Sequence, residues 1–401
     1  MPLSEETVRA LYPLNLNSEK RIKKFFDKIG VDPAGTKVMT PKFQFKTFVI
    51  KNLDNRGAAI LKQDILSIGG EAAISGRVLW FDMGENDVYI AGTVKHLKLL
   101  AQKMKKQPYR LKELGEELEK QLNAESDYSV FGEKFGAKSY PLVMGILNLT
   151  PDSFYDGGKY ANLDLAVKRV EEMIEEGADI IDLGGESTRP GSKRVDAEEE
   201  LKRVLPVLRE IKKRFDISVS IDTYKSEVAK ACLEEGADMI NDISFGTMDK
   251  NMFKVVAEGK CFYVGMHIKG TPENMQKNPE YKDCVFEIRE FLRKRSDIAV
   301  ENGILREKII VDPGIGFGKK DEHNLEILRN IPAFSSLGFP VLIGVSRKSM
   351  FGRLLGLKEK DRLAPSLAVA VYTTLQNVFI LRVHDVFETK NAVKITRILS
   401  E

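Results

Sequence analysis

The sequence predicts an α/β protein that consists of a (β/α)8 TIM barrel preceded by a small α+β N-terminal domain. Residues 139–401 alternate apolar segments with amphipathic helical patterns eight times. The apolar segments are short and almost uninterrupted, which is typical of parallel strands covered by helices. Eight such units in roughly 260 residues match the size of a (β/α)8 barrel. Residues 1–138 lack this alternation and are predicted to form the separate domain.

The eight barrel strands are predicted from the apolar runs. They are Leu142–Leu147, Asp179–Leu183, Ser218–Ile221, Met239–Ile240, Cys261–Met266, Ile309–Val311, Val341–Gly344 and Phe379–Val383. Helical patterns lie between them, among them Leu163–Glu176, Ala197–Lys213, Ser226–Glu235 and Asp283–Asn302. An open doubly wound sheet is the alternative. Its dinucleotide-binding form needs GxGxxG after the first strand, where this chain has NLTPDSF, so the barrel is favoured.

The N-terminal domain is predicted from mixed patterns. Strands are expected at Phe43–Ile50, Arg77–Phe81 and Asp87–Val94, and helices at Asn55–Ile68, Lys95–Lys106 and Leu111–Leu122. Gly69 and Gly70 are a typical helix stop. A charged linker is expected near Ser126–Lys138. This domain shows no catalytic constellation. A structural role, as a stabilising or oligomer-forming element, is favoured over acceptor recognition or contact with a neighbouring enzyme of the pathway.

Composition excludes several classes of protein. Acidic and basic residues nearly cancel, at a net charge of +3. The sequence lacks the block of basic residues that a nucleic-acid-binding protein usually shows, so a nucleic-acid partner is not expected. No apolar run is long enough for a bilayer span, and the start, Met1–Glu6, lacks the features of a signal peptide. Cys232, Cys261 and Cys284 are widely spaced, which argues against a disulfide framework or zinc site. A cytoplasmic enzyme is therefore expected.

Every predicted barrel strand ends in polar residues. Because active sites of such barrels lie at the carboxyl ends of the strands, these residues are expected to share one site. In strand order they are Asn148, Gly184–Gly191, Asp222, Asn241 with Asp242, His267, Asp312–Lys319, Ser346–Ser349 and Arg382–Asp385.

These polar residues have two kinds of chemistry. Asp222, Asn241 and Asp312 can hydrogen-bond the amidine-like edge of a flat heterocycle such as a pterin, whose N–H groups would compensate the buried carboxylates. Lys348, Arg382 and His384 suit an anionic leaving group. Asn148 offers a hard oxygen ligand to Mg²⁺, with water and phosphate oxygens completing the shell.

Each residue also has a plainer interpretation. Asp222 is placed as a helix cap would be, and Asp312–Gly318 as a tight turn would be. Ser346–Lys348 is compatible with a solvated charge run. For His267 a buried core histidine and a site residue remain about equally open. The occurrence of all these motifs at successive strand ends favours the shared site.

Six motifs in order resemble those of the dihydropteroate synthase family. They are Met144–Gly158, Asp182–Gly191, Ser220–Thr223 with Ile240–Asp242, Asp312–Gly318, Ser346–Ser349 and Arg382–Asp385. The resemblance covers residues from about 140 to the C-terminus. It implies a pterin pocket formed by Asp222, Asn241, Asp312 and Lys348 with apolar walls from Met266 and Phe317, Mg²⁺ on Asn148, and diphosphate on Arg382 and His384. It further implies loops that close through Asp152, Phe154, Asp156, Thr188 and Arg189, and an aminobenzene site bordered by Ser349 and Pro190.

The sequence departs from the family pattern at a few points. His267-Ile268-Lys269-Gly270 stands where His-Met-Gln-Gly is common, and Tyr155 stands where a small residue is common. Lys269 is expected to face solvent, with contact to a more negatively charged acceptor as the alternative. The N-terminal domain is absent from the shortest family members.

By this resemblance the expected reaction joins 6-hydroxymethyl-7,8-dihydropterin diphosphate to an arylamine, 4-aminobenzoate, and releases diphosphate. Asp156 would stabilise the cationic pterin formed when diphosphate leaves. A ribofuranosylaminobenzene phosphate acceptor, as in methanopterin biosynthesis, is the first alternative. A pterin-binding methyltransferase domain or binding module is the second, and the cations at residues 348, 382 and 384 argue against it. The family also implies a homodimer formed through the last helices of the barrel.

Overall fold

The computed structural model describes residues 18–79, 84–123, 141–150, 159–188, 191–192 and 194–400, together with Leu11, Leu14 and Leu16. For residues 159–162 the backbone alone is described. The chain forms two compact units, one within residues 1–125 and one within residues 126–399. The predicted domain boundary at residues 138 and 139 lies outside the described residues and stays a prediction.

The first unit is an α+β fold around a three-stranded antiparallel sheet of order β1-β3-β2. Its elements are α1 (Glu19–Lys28), α2 (Pro33–Phe43), β1 (Phe45–Asp54), α3 (Asn55–Leu66), β2 (Glu71–Ala73), α4 (Gly76–Leu79), β3 (Glu85–Thr93), α5 (Val94–Met104) and α6 (Leu111–Asn123). The predicted α+β class is confirmed.

The core of the first unit follows from helical spacing. In α5 the buried residues Leu97, Leu100, Ala101 and Met104 recur at intervals of three and four and pack in one cluster with α3 and the sheet. Thr93 begins α5 as an N-cap, since its hydroxyl accepts the N–H of His96 at 3.3 Å. This unit therefore has a hydrophobic core of its own.

The predicted strand at Arg77–Phe81 is wrong. Residues 76–79 form the short helix α4, and residues 80–83 lie outside the described residues. Short apolar runs do not distinguish strand from helix by periodicity. The deciding feature is Ser75, whose carbonyl accepts from Val78 at 3.1 Å and whose hydroxyl accepts from Arg77 at 3.3 Å, as at a helix start. Helices α1 and α2 and strand β2 are additional to the predicted elements.

The second unit is the predicted barrel of eight parallel strands. They are β4 (Leu142–Asn148), β5 (Ile180–Gly184), β6 (Ser218–Asp222), β7 (Met239–Asp242), β8 (Phe262–Met266), β9 (Ile309–Asp312), β10 (Leu342–Ile343) and β11 (Ile380–Val383). Neighbours along the chain pair in parallel, and β11 pairs with β4. A parallel bridge from Val311 to Val341 joins β9 to the start of β10 and closes the ring.

Helices cover the outside of the barrel. They are α7 (Lys159–Glu175), α8 (Ala197–Arg214), α9 (Ser226–Glu234), α10 (Met252–Gly259), α11 (Cys284–Glu301), α12 (Asp321–Arg329), α13 (Ile331–Ser335), α14 (Ser349–Leu355), α15 (Leu363–Thr374) and α16 (Val386–Ser400), with 3-10 turns at Arg306–Lys308 and Glu359–Asp361. The four barrel helices predicted above are observed to within a few residues. Among the described helices, none has the length and apolar character that a bilayer crossing needs.

The strand register brings the predicted polar residues into one row. Asn148 is paired with Gly184, Gly184 with Asp222, and Asp222 with Asn241 across four successive strands. Below this row, apolar side chains such as Met144, Ile180 and Phe262 form a separate buried cluster. The carboxyl end of the barrel is therefore polar over an apolar floor.

Candidate active site

A cavity of about 600 Å³ opens among the strand ends and the loops that follow them. Eleven of the predicted site residues line it: Asn148, Thr188, Asp222, Asn241, Met266, Asp312, Phe317, Lys348, Ser349, Arg382 and His384. The structure thus gathers residues separated by up to 236 positions in sequence around one space.

Five predicted site residues lie outside the described residues. They are Asp152, Phe154 and Asp156 in the first loop and Arg189 and Pro190 in the second. Their predicted parts in loop closure, cation stabilisation and acceptor binding therefore stay predictions.

Two carboxylates of the cavity are buried, and burial weakens them as acids. Burial raises the pKa of Asp222 to about 7, although Arg382 opposes the shift. Burial also raises the pKa of Asp312 to about 6, opposed by the N–H of Gly314, which donates to its Oδ1 at 2.7 Å. Buried carboxylates of this kind suit N–H donors of a substrate, which would compensate their charge.

Arg382 lies between two carboxylates. Its Nε donates to Oδ2 of Asp182 at 2.6 Å, and its Nη2 donates to Oδ2 of Asp222 at 2.6 Å. Burial opposes its charge, yet the two acids hold its pKa above the ordinary value. The resemblance implies that Arg382 binds diphosphate, and in the structure this side chain is already paired with two carboxylates.

Lys348 reaches the cavity beside an aromatic wall. Its Nζ lies 4.4 Å from the ring centroid of Phe317, within the range of a cation–π contact. Burial, and next the charge of Arg382, lowers its pKa to about 8, while Asp312 and Asp222 act in the opposite direction. The ammonium is therefore charged near neutral pH.

His384 is held as a neutral side chain. Burial, followed by the nearby Arg382, lowers its pKa to about 4. Its backbone N–H donates to the Ser346 hydroxyl at 3.1 Å, and its Nδ1 lies 3.1 Å from the same oxygen. The sequence grouped His384 with the cations, whereas this environment makes it a hydrogen-bonding group in the absence of an anion.

His267 is a buried structural histidine in the described structure. Its Nδ1 lies 2.9 Å from Nζ of Lys319, which also donates to the carbonyls of His267 at 3.2 Å and Phe317 at 2.9 Å. Burial lowers the pKa of Lys319 to about 7. Lys319 thus ties the loop after β8 to the loop after β9, which carries Phe317.

Lys269 is not among the described residues that line the cavity. It is exposed, its Nζ donates to the carbonyl of Glu280, and it lies 4.1 Å from the ring centroid of Tyr281. It lines a separate shallow cleft of about 430 Å³ with Lys277 and Asn278. The structure thus favours the solvent-facing interpretation of Lys269.

A buried network supports the second loop at its base. Oε1 of Glu186 accepts from the hydroxyl of Tyr224 at 2.9 Å, and Lys225 pairs with both Glu186 and Glu200. Burial raises the pKa of Glu200, while Lys225 opposes the change. This network fixes the chain immediately before Ser187 and Thr188, which line the cavity.

Some residues of the site escaped sequence reasoning. Asp182 lies inside β5 with no exposed surface, and the signal that could have found it is an acid within an apolar strand. Arg353 and Arg362 also line the cavity. They lie on or near helices α14 and α15, in segments that show no distinctive motif, so only the fold brings them there.

The site suits a metal ion that arrives with a substrate. A Cβ built on Gly184 would lie 3.6 Å from Oδ1 of Asn148, so the missing side chain leaves the amide oxygen of Asn148 accessible from the cavity. Among the described residues, no group of three or more His, Cys, Asp or Glu side chains could hold an ion. Magnesium commonly binds through one or two protein oxygens plus phosphate and water, and these residues fit that habit.

Residues 144–384 match the family model of the pterin binding enzymes. Within this range lie all the described cavity residues named above. The chain therefore belongs to the pterin binding enzyme family.

Curated relatives of this chain include dihydropteroate synthases. The protein of Clostridium beijerinckii is 46% identical over 272 residues, which cover 66% of this chain and 98% of the relative. A probable bifunctional folylpolyglutamate synthase/dihydropteroate synthase of Halobacterium salinarum is 40% identical over 370 residues, which cover 92% of this chain and 44% of that protein.

Solved structures agree with these relatives. The dihydropteroate synthase of Clostridium difficile, determined in the presence of pteroic acid, superposes with a TM-score of 0.62 at 43% identity and covers 65% of this chain and 96% of that one. That of Xanthomonas albilineans with 4-aminobenzoic acid gives 0.62 at 39% identity, with 65% and 93% covered. The family match at residues 144–384 lies within the barrel, whereas the Halobacterium salinarum match extends over 92% of this chain.

Proposed function

We propose that this protein is a dihydropteroate synthase. It joins 6-hydroxymethyl-7,8-dihydropterin diphosphate to 4-aminobenzoate through a new C–N bond and releases diphosphate, in folate-type cofactor biosynthesis. The observation that carries the proposal is one cavity that combines buried carboxylates (Asp222, Asp312) with cations (Lys348, Arg382). The first pair suits the N–H edge of a pterin, and the second suits its diphosphate.

The pterin end of the site is built for a flat, partly polar ring. Asp222, Asn241 and Asp312 receive or supply hydrogen bonds along its edge, and Met266 and Phe317 pack against its faces. Met266 is buried and belongs to an apolar cluster against which Phe317 packs. Such a pocket orients the 6-methylene carbon toward the diphosphate-binding groups.

The reaction breaks the bond between the pterin methylene carbon and the diphosphate oxygen. Lys348 and Arg382 stabilise the negative charge that grows on the leaving oxygen, and His384 donates a hydrogen bond to the same group. The arylamine nitrogen then attacks the methylene carbon and loses a proton. In this proposal Asp156, which lies outside the described residues, would stabilise the cationic pterin, and exclusion of water would prevent its hydrolysis.

The acceptor lies beyond Ser349. The hydroxyl of Ser349 accepts from Arg353 at 3.0 Å, and Arg353 is paired with Asp321, so this end is positive but partly neutralised. Arg362 adds a second cation, and its Nε is buried without a hydrogen-bond partner among the described residues. A single carboxylate, such as that of 4-aminobenzoate, suits this end. By the family resemblance Pro190, which lies outside the described residues, would border the ring together with Ser349.

Magnesium belongs to this proposal as a partner of the diphosphate. Asn148 would hold it, and the ion would neutralise phosphate charge when bound. The proposal also includes a cytoplasmic location and a homodimer. Exposed apolar side chains on the last helix, Phe387, Ile395 and Ile398, support association of two copies through this face.

The test is diphosphate release in the presence of Mg²⁺ and the pterin diphosphate, with no acceptor, with 4-aminobenzoate, or with its ribofuranosyl phosphate analogue. Release that requires 4-aminobenzoate, with dihydropteroate identified by mass, supports the proposal. Release that requires the ribosyl phosphate would change the acceptor. Pterin binding without acceptor-dependent release would reduce the protein to a binding module.

A further inference from the structure

Asp182 is a buried carboxylate for which the reaction above has no role. It has no exposed surface, and the described residues that line the cavity do not include it. Its Oδ2 accepts from Nε of Arg382 at 2.6 Å and from Nδ2 of Asn241 at 3.2 Å. Asp182 therefore contacts two residues, Arg382 and Asn241, that do line the cavity.

The contact with Asn241 fixes the orientation of its amide. A carboxylate can only accept hydrogen bonds, so Asp182 selects the rotamer in which the amide nitrogen of Asn241 faces it. The opposite rotamer would place two acceptors against each other. The amide oxygen of Asn241 is consequently left to accept an N–H from a ligand in the cavity.

The contact with Arg382 anchors one edge of a guanidinium whose other edge contacts Asp222. Nη2 of Arg382 donates a hydrogen bond to Oδ2 of Asp222. This oxygen is one of the two Asp222 carboxylate oxygens that could accept an N–H of the pterin. A pterin N–H and Arg382 thus compete for the same acceptor. Because Nε remains bound to Asp182, the guanidinium can release Asp222 without losing its place or its buried counter-charge.

We propose that Asp182 is a positioning residue that couples the pterin end of the donor site to the diphosphate end. The pterin takes Oδ2 of Asp222, and Nη2 of Arg382 turns to the diphosphate while Nε stays on Asp182. This inference rests on the proposed function. Since coupling between two ligands is reciprocal, each strengthens the binding of the other.

Isothermal titration of the wild-type protein tests the coupling directly. The probes are 6-hydroxymethyl-7,8-dihydropterin, which lacks the diphosphate, and inorganic diphosphate with MgCl₂. Each is titrated alone and in the presence of the other. We expect each Kd to fall by about 5- to 20-fold when the second ligand is present. Two ligands that bind independently would overturn the coupling and leave the proposed function standing, whereas a wild-type protein that binds no pterin would overturn both.

Variants at residues 182 and 179 separate positioning from support of the fold. Asp179 immediately precedes strand β5, and its Oδ2 accepts from the N–H of Val143 at 2.7 Å and from Lys390 at 2.6 Å. In Asp182→Asn the charge that retains Arg382 is gone, so the coupling should fall to less than twofold and diphosphate should bind more than tenfold more weakly. Asp179→Asn should lower the Tm and keep the wild-type coupling.

A merely structural Asp182 would give the opposite pattern, a lower Tm with unchanged coupling in Asp182→Asn, and that result would overturn its positioning role. Should Asp182→Asn fail to fold, the wild-type titration decides, because independent binding of the two probes contradicts the proposal without any variant.

Discussion

Nζ of Lys348 lies 4.4 Å from the ring centroid of Phe317, so the wall of the proposed pterin pocket also holds a cation of the diphosphate site. The Lys348 side chain approaches Gly316 as well, since a Cβ there would lie 3.5 Å from its Cδ. The loop after β9 therefore limits where this ammonium can go. Its charge is placed at the junction of the two halves of the donor site.

The first prediction concerns pH. Donor binding needs Asp222 ionised, and with a raised pKa of about 7 it loses charge as the pH falls through 7. It also needs Lys348 protonated, and with a lowered pKa of about 8 it loses charge as the pH rises through 8. We expect kcat/KM for the pterin diphosphate to peak between these values and to fall about tenfold per pH unit beyond each.

Variants of Lys348 test whether this residue causes the decline of kcat/KM at alkaline pH. Lys348→Arg keeps the charge at all accessible pH values, so the decline above pH 8 should disappear. Lys348→Ala should raise the KM for the pterin diphosphate or abolish turnover. An alkaline decline that persists in Lys348→Arg would place the titrating group on the substrate or elsewhere in the protein, and wild-type kinetics in Lys348→Ala would remove Lys348 from the site.

The second prediction concerns the metal. Asn148→Ala removes the amide oxygen beside the space above Gly184. We expect the Mg²⁺ concentration that gives half-maximal activity to rise about tenfold or more, by loss of one oxygen ligand. Asn148→Asp retains an oxygen ligand at the same place and should restore most of the affinity. Identical magnesium titrations of wild type and Asn148→Ala would contradict the assignment.

The third prediction concerns Gly314, which has φ +72°, a conformation that side chains rarely adopt. A Cβ there would overlap the carbonyl oxygen of His267, so the loops after β8 and β9 would have to separate. Gly314 also donates its N–H to Asp312. Gly314→Ala should therefore lower the Tm and raise the KM for the pterin diphosphate.

Gly356 supplies the control for that change. It has φ +70°, and apart from its neighbours along the chain no atom of the described residues lies within 4 Å of its Cβ position. Gly356→Ala should cost about 1–2 kcal/mol of backbone strain alone and leave the donor KM unchanged. Equal effects of the two substitutions on Tm and KM would show that strain, and not the contact with His267, explains the Gly314 variant.

The sequence predicted the barrel well because its strands are short and buried on both faces, and each was placed to within two residues. The row of Asn148, Asp222 and Asn241 was predictable because parallel strands end together. The state of the side chains was not. Neither the pairing of Arg382 with Asp182 nor the burial that keeps His384 neutral is visible without neighbours distant in sequence. The helix at residues 76–79 was missed because four residues carry too little periodicity.

The last prediction concerns the N-terminal unit. Its buried residues, such as Leu61 and Leu97, form one cluster, and the barrel has others, so each unit has its own core. All the described residues that line the cavity belong to the barrel. The Clostridium beijerinckii relative is matched along 98% of its length by 66% of this chain, and the family match, at residues 144–384, lies within the barrel. A protein of residues 139–401 should therefore fold, keep kcat within about threefold of the full chain, and keep its preference among arylamines. The measurement is diphosphate release with matched concentrations of each acceptor.

The full chain, assayed alongside, is the control for this truncation. A folded barrel with an altered acceptor preference would instead assign the N-terminal unit a part in acceptor recognition, and restoration of the preference by added fragment 1–138 would strengthen that assignment.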